Sequence, residues 1–165
     1  MVSVESERIV PLFSRAPRWT LVLLRLYLGA AFLRAAANKI GENWRPWPGW
    51  MAGFIHSQLP RTVPFYRGFL TAVVVPHAGF LAPAVACAEV AVGCCLLLGL
   101  ATRGAAIIGA VLTLNYLLMK GGPFILPNND PVFILGGIAV CVGAAGRAYG
   151  LDAFLHRRFP RVPLW

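Results

Sequence analysis

Charge is scarce in this chain. Asp, Glu, Lys and Arg together make up 13% of 165 residues, six acids stand against fifteen Lys and Arg, and the mean hydropathy is +0.69. Such a deficit, with 58% hydrophobic residues gathered in long blocks, excludes an ordinary soluble domain. Cysteine is also sparse. Cys87, Cys94, Cys95 and Cys141 all lie in apolar runs, with neither the spacing of a metal knuckle nor that of a secreted disulfide framework, so they are expected to be small buried residues. Adjacent positions such as Cys94 and Cys95 point about 100° apart on a helix, which disfavours a redox pair. There is no CxxCH, no nucleotide-binding glycine loop and no pair of histidines within an apolar block, so any electron transfer needs a partner subunit. No inverted repeat is evident, which disfavours a small-solute carrier.

What is present is apolar sequence long enough to span a bilayer, for which about 20 residues suffice. The blocks fall at about 19–40, 81–100, 105–120 and 131–146, giving an all-α membrane protein, a bundle of four transmembrane helices forming one domain over residues 1–165. The Ala35-Ala36-Ala37 run resembles a signal-peptide cleavage site, but Arg25 and Arg34 interrupt the apolar stretch, so a retained helix is expected. The formal charge of +9 does not point to nucleic acid, because the arginines cluster at the ends of apolar blocks, where contact with anionic lipid accounts for them. With four spans both termini share a side. That side holds Arg8, Arg15, Arg18, Arg103, Arg147, Arg157, Arg158 and Arg161, against Lys39, Arg45, Arg61, Arg67 and Lys120, which predicts cytoplasmic termini.

The connections carry their own signals. Residues 1–18 read as a short polar arm broken by Pro11 and Pro17. Trp44, Trp47 and Trp50 stand among prolines in the first extracytoplasmic loop, as in an aromatic belt, and are candidates for a partner interface. Trp50, Met51, Phe54, Ile55 and Leu59 form an apolar stripe opposite His56 and Ser57, predicting a short helix on the membrane surface. Residues 65–80, with Pro76 inside and Pro83 beyond, predict a second interfacial or re-entrant helix. Its His77 has no placed partner for a quinone carbonyl or a haem. Asp130-Pro131 reads as a helix N-cap and first turn, and Leu151, Phe154 and Leu155 opposite Arg157 and Arg158 as a surface anchor.

Glu89 is the acid around which the rest is organised. It lies inside the second span, on a stripe of small residues with Ala82, Ala86 and Gly93, and a carboxylate there is costly unless paired, protonated or wet. The first span offers Arg25, Arg34, Asn38 and Lys39, and the third offers Asn115. At ~1.5 Å per residue, Arg34, Glu89 and Asn115 fall at about 10, 13 and 12 Å below the outer boundary, one shared level. Arg25 lies about 24 Å down, so either arginine is a candidate partner while the other snorkels to an interface. The layer is either a clamp between helices or the polar floor of a pocket for an amphipathic ligand. Quinone is the natural candidate for the pocket, with Tyr27, Phe32 or Tyr116 as walls.

The segments LLRLYLGAAFLRAAANKI and AEVAVGCCLLLGLATR, then Asn115, Pro123, Phe124 and Asn129, and finally AGRAYGLDAFL, resemble the DoxX family and the related DoxD small subunit of thiosulfate:quinone oxidoreductase. The resemblance implies a four-helix bundle in a bacterial cytoplasmic membrane, associated with sulfur or thiol oxidation, quinone reduction or oxidative-stress complexes. Arg25, Lys39, Glu89 and Asn115 match the family's polar positions and Arg34 does not. Ala36 stands where the family pattern has Gly, and the first loop is longer than the family's. Two functions are therefore expected. One is a membrane subunit supporting quinone-linked oxidation in a larger complex, with no intrinsic cofactor. The other is a non-catalytic accessory subunit packed against a respiratory or photosynthetic assembly.

Overall fold

The computed structural model describes residues 18–43, 47–121, 129–159 and 161–162. The residue 1–17 arm, Trp44 and most of the 121–130 loop lie outside these, as does the side chain of Trp47. All regular structure among the described residues is helical: α1 Arg18–Asn43, α2 Trp47–Gln58, α3 Pro64–Phe69 running into a π-turn Leu70–Val74, α4 Ala78–Leu98, α5 Thr102–Lys120, α6 Asp130–Val142, a 3₁₀ turn Ala145–Arg147 and α7 Leu151–Arg158. Three stretches, Trp19–Gly41, Ala78–Leu98 and Thr102–Lys120, are long and apolar enough to cross a membrane.

The block expected at 131–146 is shorter than a span. α6 stops at Val142 because Gly143 caps it and Ala144 turns left-handed at φ 47°. Its 13 residues rise about 20 Å. Asn129, not Asp130, takes the N-cap position, with Asp130 and Pro131 in the first turn. The second apolar block is a helix three residues longer at its start than expected, with Pro83 inside it. Gly99, left-handed at φ 66°, ends that helix.

α1 packs along α4 and α6, and α5 against α6 and α4. The α1–α4 crossing is close because both helices present glycine: a Cβ on Gly93 would lie 2.6 Å from Leu33 Cγ and 3.0 Å from the Gly29 carbonyl oxygen. Small residues at the contact allow this approach, as in lipid-embedded helix pairs. Two apolar clusters fill the bundle. One joins Leu28, Phe32, Val92, Leu96 and Val140, and the other joins Ile55, Leu70, Val74 and Met119 beneath α2 and α3.

The stripe on α2 faces inward. Ile55 is fully buried and Met51, Phe54 and Leu59 pack beside it, with His56 and Ser57 exposed, so the apolar face covers the bundle and not the lipid. α7 does present Leu151 and Phe154 outward. Cys87 and Cys94 are exposed and Cys95 and Cys141 half-buried, all four free, so the expected burial of the cysteines does not hold. Ala82, Ala86, Glu89 and Gly93 are all buried, as their spacing predicts.

Candidate functional site

Phe32, Ala35 and Lys39 recur at three and seven residues on α1, and Ala82, Val85 and Glu89 do the same on α4, so each set lines one helix face. These faces meet across a partly open cavity of about 530 Å³, lined on its other sides by α2, α3, the π-turn, α5 and the start of α6. Phe54, Phe69, Phe133, Tyr66 and Trp50 supply aromatic walls, and Trp50 lies parallel on Phe54 with ring centroids 5.6 Å apart. The small side chains of Ala31, Ala35 and Ala82 leave the volume open.

The most deeply buried charged group of this cavity is Glu89, 1% exposed. Lys39 Nζ donates to both of its carboxylate oxygens at 2.6 Å, and the Tyr116 hydroxyl donates to Oε1 at 2.8 Å. Lys39 Nζ also stands 5.1 Å from the Tyr116 ring centroid, and Lys120 Nζ stands 5.8 Å from it. Lys120 in turn pairs with Asp130 at 2.9 Å. The Tyr116 ring thus has two ammonium groups within cation–π range. On the same cavity, Tyr66 donates its hydroxyl to Asn115 Oδ1, and Asn115 Nδ2 donates to the Val111 carbonyl at 2.7 Å. Burial pushes the Tyr66 phenol above its ordinary pKa.

Neither arginine partners Glu89. Lys39 does, although its Cα lies five residues beyond Arg34 along α1. The reason is the direction of the side chains. Cα–Cβ bonds on a helix tilt toward the N-terminus, so the long lysine stem returns toward Glu89 while Arg34 is carried away from that level. Rotation matters equally, since Arg34 lies about 140° around the helix from the cavity face. Arg34 is exposed, with no hydrogen bond or ion pair among the described residues.

Arg25 belongs to a second polar cluster at the other end of α1. It is 2% exposed, and its two terminal nitrogens donate to the Ala145 and Tyr149 carbonyls at 3.3 Å. Fourteen residues separate it from Lys39, about 21 Å of helix rise. Beside it the buried Asp152 caps α5, accepting from Ala101 N at 2.6 Å and Thr102 N at 2.9 Å, while its own N–H donates to the Gly99 carbonyl at 2.8 Å. Gly146 is obligatory here, because a Cβ would fall 2.1 Å from both Asp152 Oδ2 and Thr102 Oγ1. This cluster fastens the segment after α6 onto the α4–α5 turn.

Of the residues singled out from sequence, Lys39, Glu89, Asn115 and Trp50 meet at the cavity, and Arg25 and Arg34 stand apart from it. Trp50, half-buried, stacks its ring on Phe54 at the cavity. Sequence reasoning missed Tyr66, Lys120 and Asp130, and took Tyr116 only as a wall. The i, i+4 pair Tyr116 and Lys120, one residue after Asn115, was the available signal. Compared with known proteins, residues 20–120, which contain Lys39, Glu89 and Tyr116, match the DoxX family model. No curated protein and no solved structure matches the chain.

Proposed function

The chain belongs to the DoxX family of multi-pass membrane proteins, and we propose that it is a membrane subunit binding quinone in its aromatic cavity, in support of sulfur or thiol oxidation by a larger complex. The observation that carries this reading is one apolar, aromatic-walled cavity of about 530 Å³ with the Lys39–Glu89–Tyr116 group set in it. A cavity of this size suits a ring of quinone dimensions, and orientation in such pockets comes from a few convergent polar groups. The donor set fits a carbonyl oxygen: the Lys39 ammonium keeps a third N–H beyond the two given to Glu89, and the Asn115 amide keeps a second N–H beyond the one given to the Val111 carbonyl, both on residues that line the cavity. A bound quinone supplies two-electron acceptor chemistry. The protein's part is to hold the ring between aromatic faces, exclude water and keep an exchangeable proton at the Lys39–Glu89 pair.

In the same proposal α6 and the following 3₁₀ turn make a fourth crossing, both termini are cytoplasmic, and the membrane is a bacterial inner membrane. The distribution of Arg and Lys between the two ends supports that orientation. A purely accessory role is the second reading, favoured by the exposed Arg34 on α1.

Titration of the purified protein with short-chain ubiquinone and menaquinone analogues, followed by quenching of Trp fluorescence, tests the binding. Saturable one-to-one binding that weakens about tenfold or more in Tyr116→Phe and Glu89→Gln supports the proposal. Absence of saturable binding, or equal affinity in both variants, refutes it.

A further inference from the structure

The face of α1 turned away from the cavity changes character along its length. Over the first half it presents Trp19, Leu23, Leu26 and Tyr27, all exposed and suited to lipid. Over the second half it presents Ala30, Arg34, Ala37, Asn38 and Gly41, all exposed, so a guanidinium stands among small residues with a carboxamide one turn away. The other membrane-length helices expose no charged side chain. α4 exposes the small residues Cys87, Ala91 and Cys94 between Phe80 and Leu98, and α5 exposes Ile107, Ile108, Val111 and Leu114. Asn115, also exposed, is engaged by Tyr66 and the Val111 carbonyl. Arg34 has no partner among the described residues.

Arg34 lies seven residues inside Gly41, where the apolar stretch of α1 ends, or about 10 Å below that boundary. To reach the headgroups its side chain must climb against the N-terminal tilt of the Cα–Cβ bond, which points it toward the bilayer centre. Intramembrane ionisable groups pair with a counter-charge, and small residues let a second helix approach closely enough to supply one. Among the described residues, the membrane-length stretches of a second copy offer no free carboxylate. Glu89 is the carboxylate within the three membrane-length stretches, and it is buried against Lys39 and Tyr116.

We propose that the outer half of α1, centred on Arg34, docks a transmembrane helix of a different chain that carries an Asp or Glu at the matching depth. Close packing over Ala30, Ala37 and Gly41 brings the two backbones together, Arg34 donates to the partner's carboxylate, and Asn38 adds a hydrogen bond. The site lies on the far side of α1 from the cavity and does not rest on quinone binding.

The test uses the full-length protein in liposomes with synthetic Leu/Ala helices of about 22 residues. Each carries a single Glu or Gln about 10 Å inside one end, with alanine on either side, and association is followed by energy transfer. The expected result is that the Glu helix associates about tenfold more tightly than the Gln helix, that Arg34→Leu abolishes the preference, and that Arg34→Lys keeps most of it. Because Arg34 is exposed, Arg34→Leu is expected to keep the parent's melting temperature and its quinone titration curve, whatever that curve is. Equal association of Glu and Gln helices overturns the proposal, as does a preference that survives Arg34→Leu. Self-association of labelled wild-type copies that Arg34→Leu removes assigns the face to a second copy and overturns it too. So does an effect of Arg34→Leu confined to binding of anionic-lipid vesicles, which assigns Arg34 to headgroups.

Discussion

Replacing Lys39 by Met removes a positive charge while keeping most of the stem, and leaves Glu89, 1% exposed, with Tyr116 as its remaining partner. Removing one member of a buried ion pair costs about 3–5 kcal/mol, because the other charge is stranded. For a chain of this length 1 kcal/mol moves the melting temperature by roughly 2–4 °C, so Lys39→Met is expected to melt roughly 6–20 °C below the parent. Glu89→Gln alone leaves Lys39, whose side chain is 19% exposed, able to reach water, and is expected to cost less. The double variant restores neutrality and is expected to be more stable than Lys39→Met alone. The assay is thermal unfolding in mild detergent by intrinsic fluorescence, with monodispersity checked by size exclusion. From the four melting points a double-mutant cycle yields the coupling, expected near the top of the roughly 0.5–3 kcal/mol range for contacting residues. A Lys39→Met variant as stable as the parent, or two single-variant losses that simply add, would refute the reasoning.

Ala35→Phe places a ring in the cavity while keeping both members of the Lys39–Glu89 pair, and is expected to abolish quinone-analogue binding while the melting temperature falls by about 2–12 °C, from about 1–3 kcal/mol of overpacking. Asp152→Ala removes the two bonds that cap α5, a loss of about 1–3 kcal/mol read in the same melting assay, yet analogue affinity is expected to stay within about twofold because the capped Thr102 lies about 15 Å of helix rise from Leu112, which lines the cavity on α5. Gly146→Ala is expected to be at least as damaging as Asp152→Ala, since its Cβ meets Asp152 Oδ2 and Thr102 Oγ1 at 2.1 Å; unchanged melting would contradict the role given to this cluster.

The long helices and the acid at their centre were legible in the sequence because both follow from hydropathy and from the cost of a charge in an apolar run. The identity of Glu89's partner was not, because depth along a helix is read from residue counts while rotation and side-chain tilt are not. Arg34 has the matching Cα level and the wrong face, and Lys39 has the wrong level and a stem that returns to the right one. The inward turn of α2 was hidden for a related reason. A stripe such as Met51, Phe54 and Ile55 is equally compatible with lipid and with a protein cavity, and only the packing of α3 and the π-turn decides. The Asp152 cap joins residues 50 apart, and its sequence trace was the glycine at 146, which a local reading assigns to a turn. The shortness of α6 comes from a left-handed Ala144, a conformation that alanine does not advertise.

The most direct measurement is native mass spectrometry of the chain released from native-lipid nanodiscs, comparing the wild type with Ala35→Phe and Glu89→Gln. One quinone-mass adduct per wild-type chain is expected, absent from Ala35→Phe and diminished in Glu89→Gln. A wild-type chain without that adduct, or one carrying it equally in all three proteins, would contradict the claim that the Lys39–Glu89–Tyr116 cavity is a quinone site.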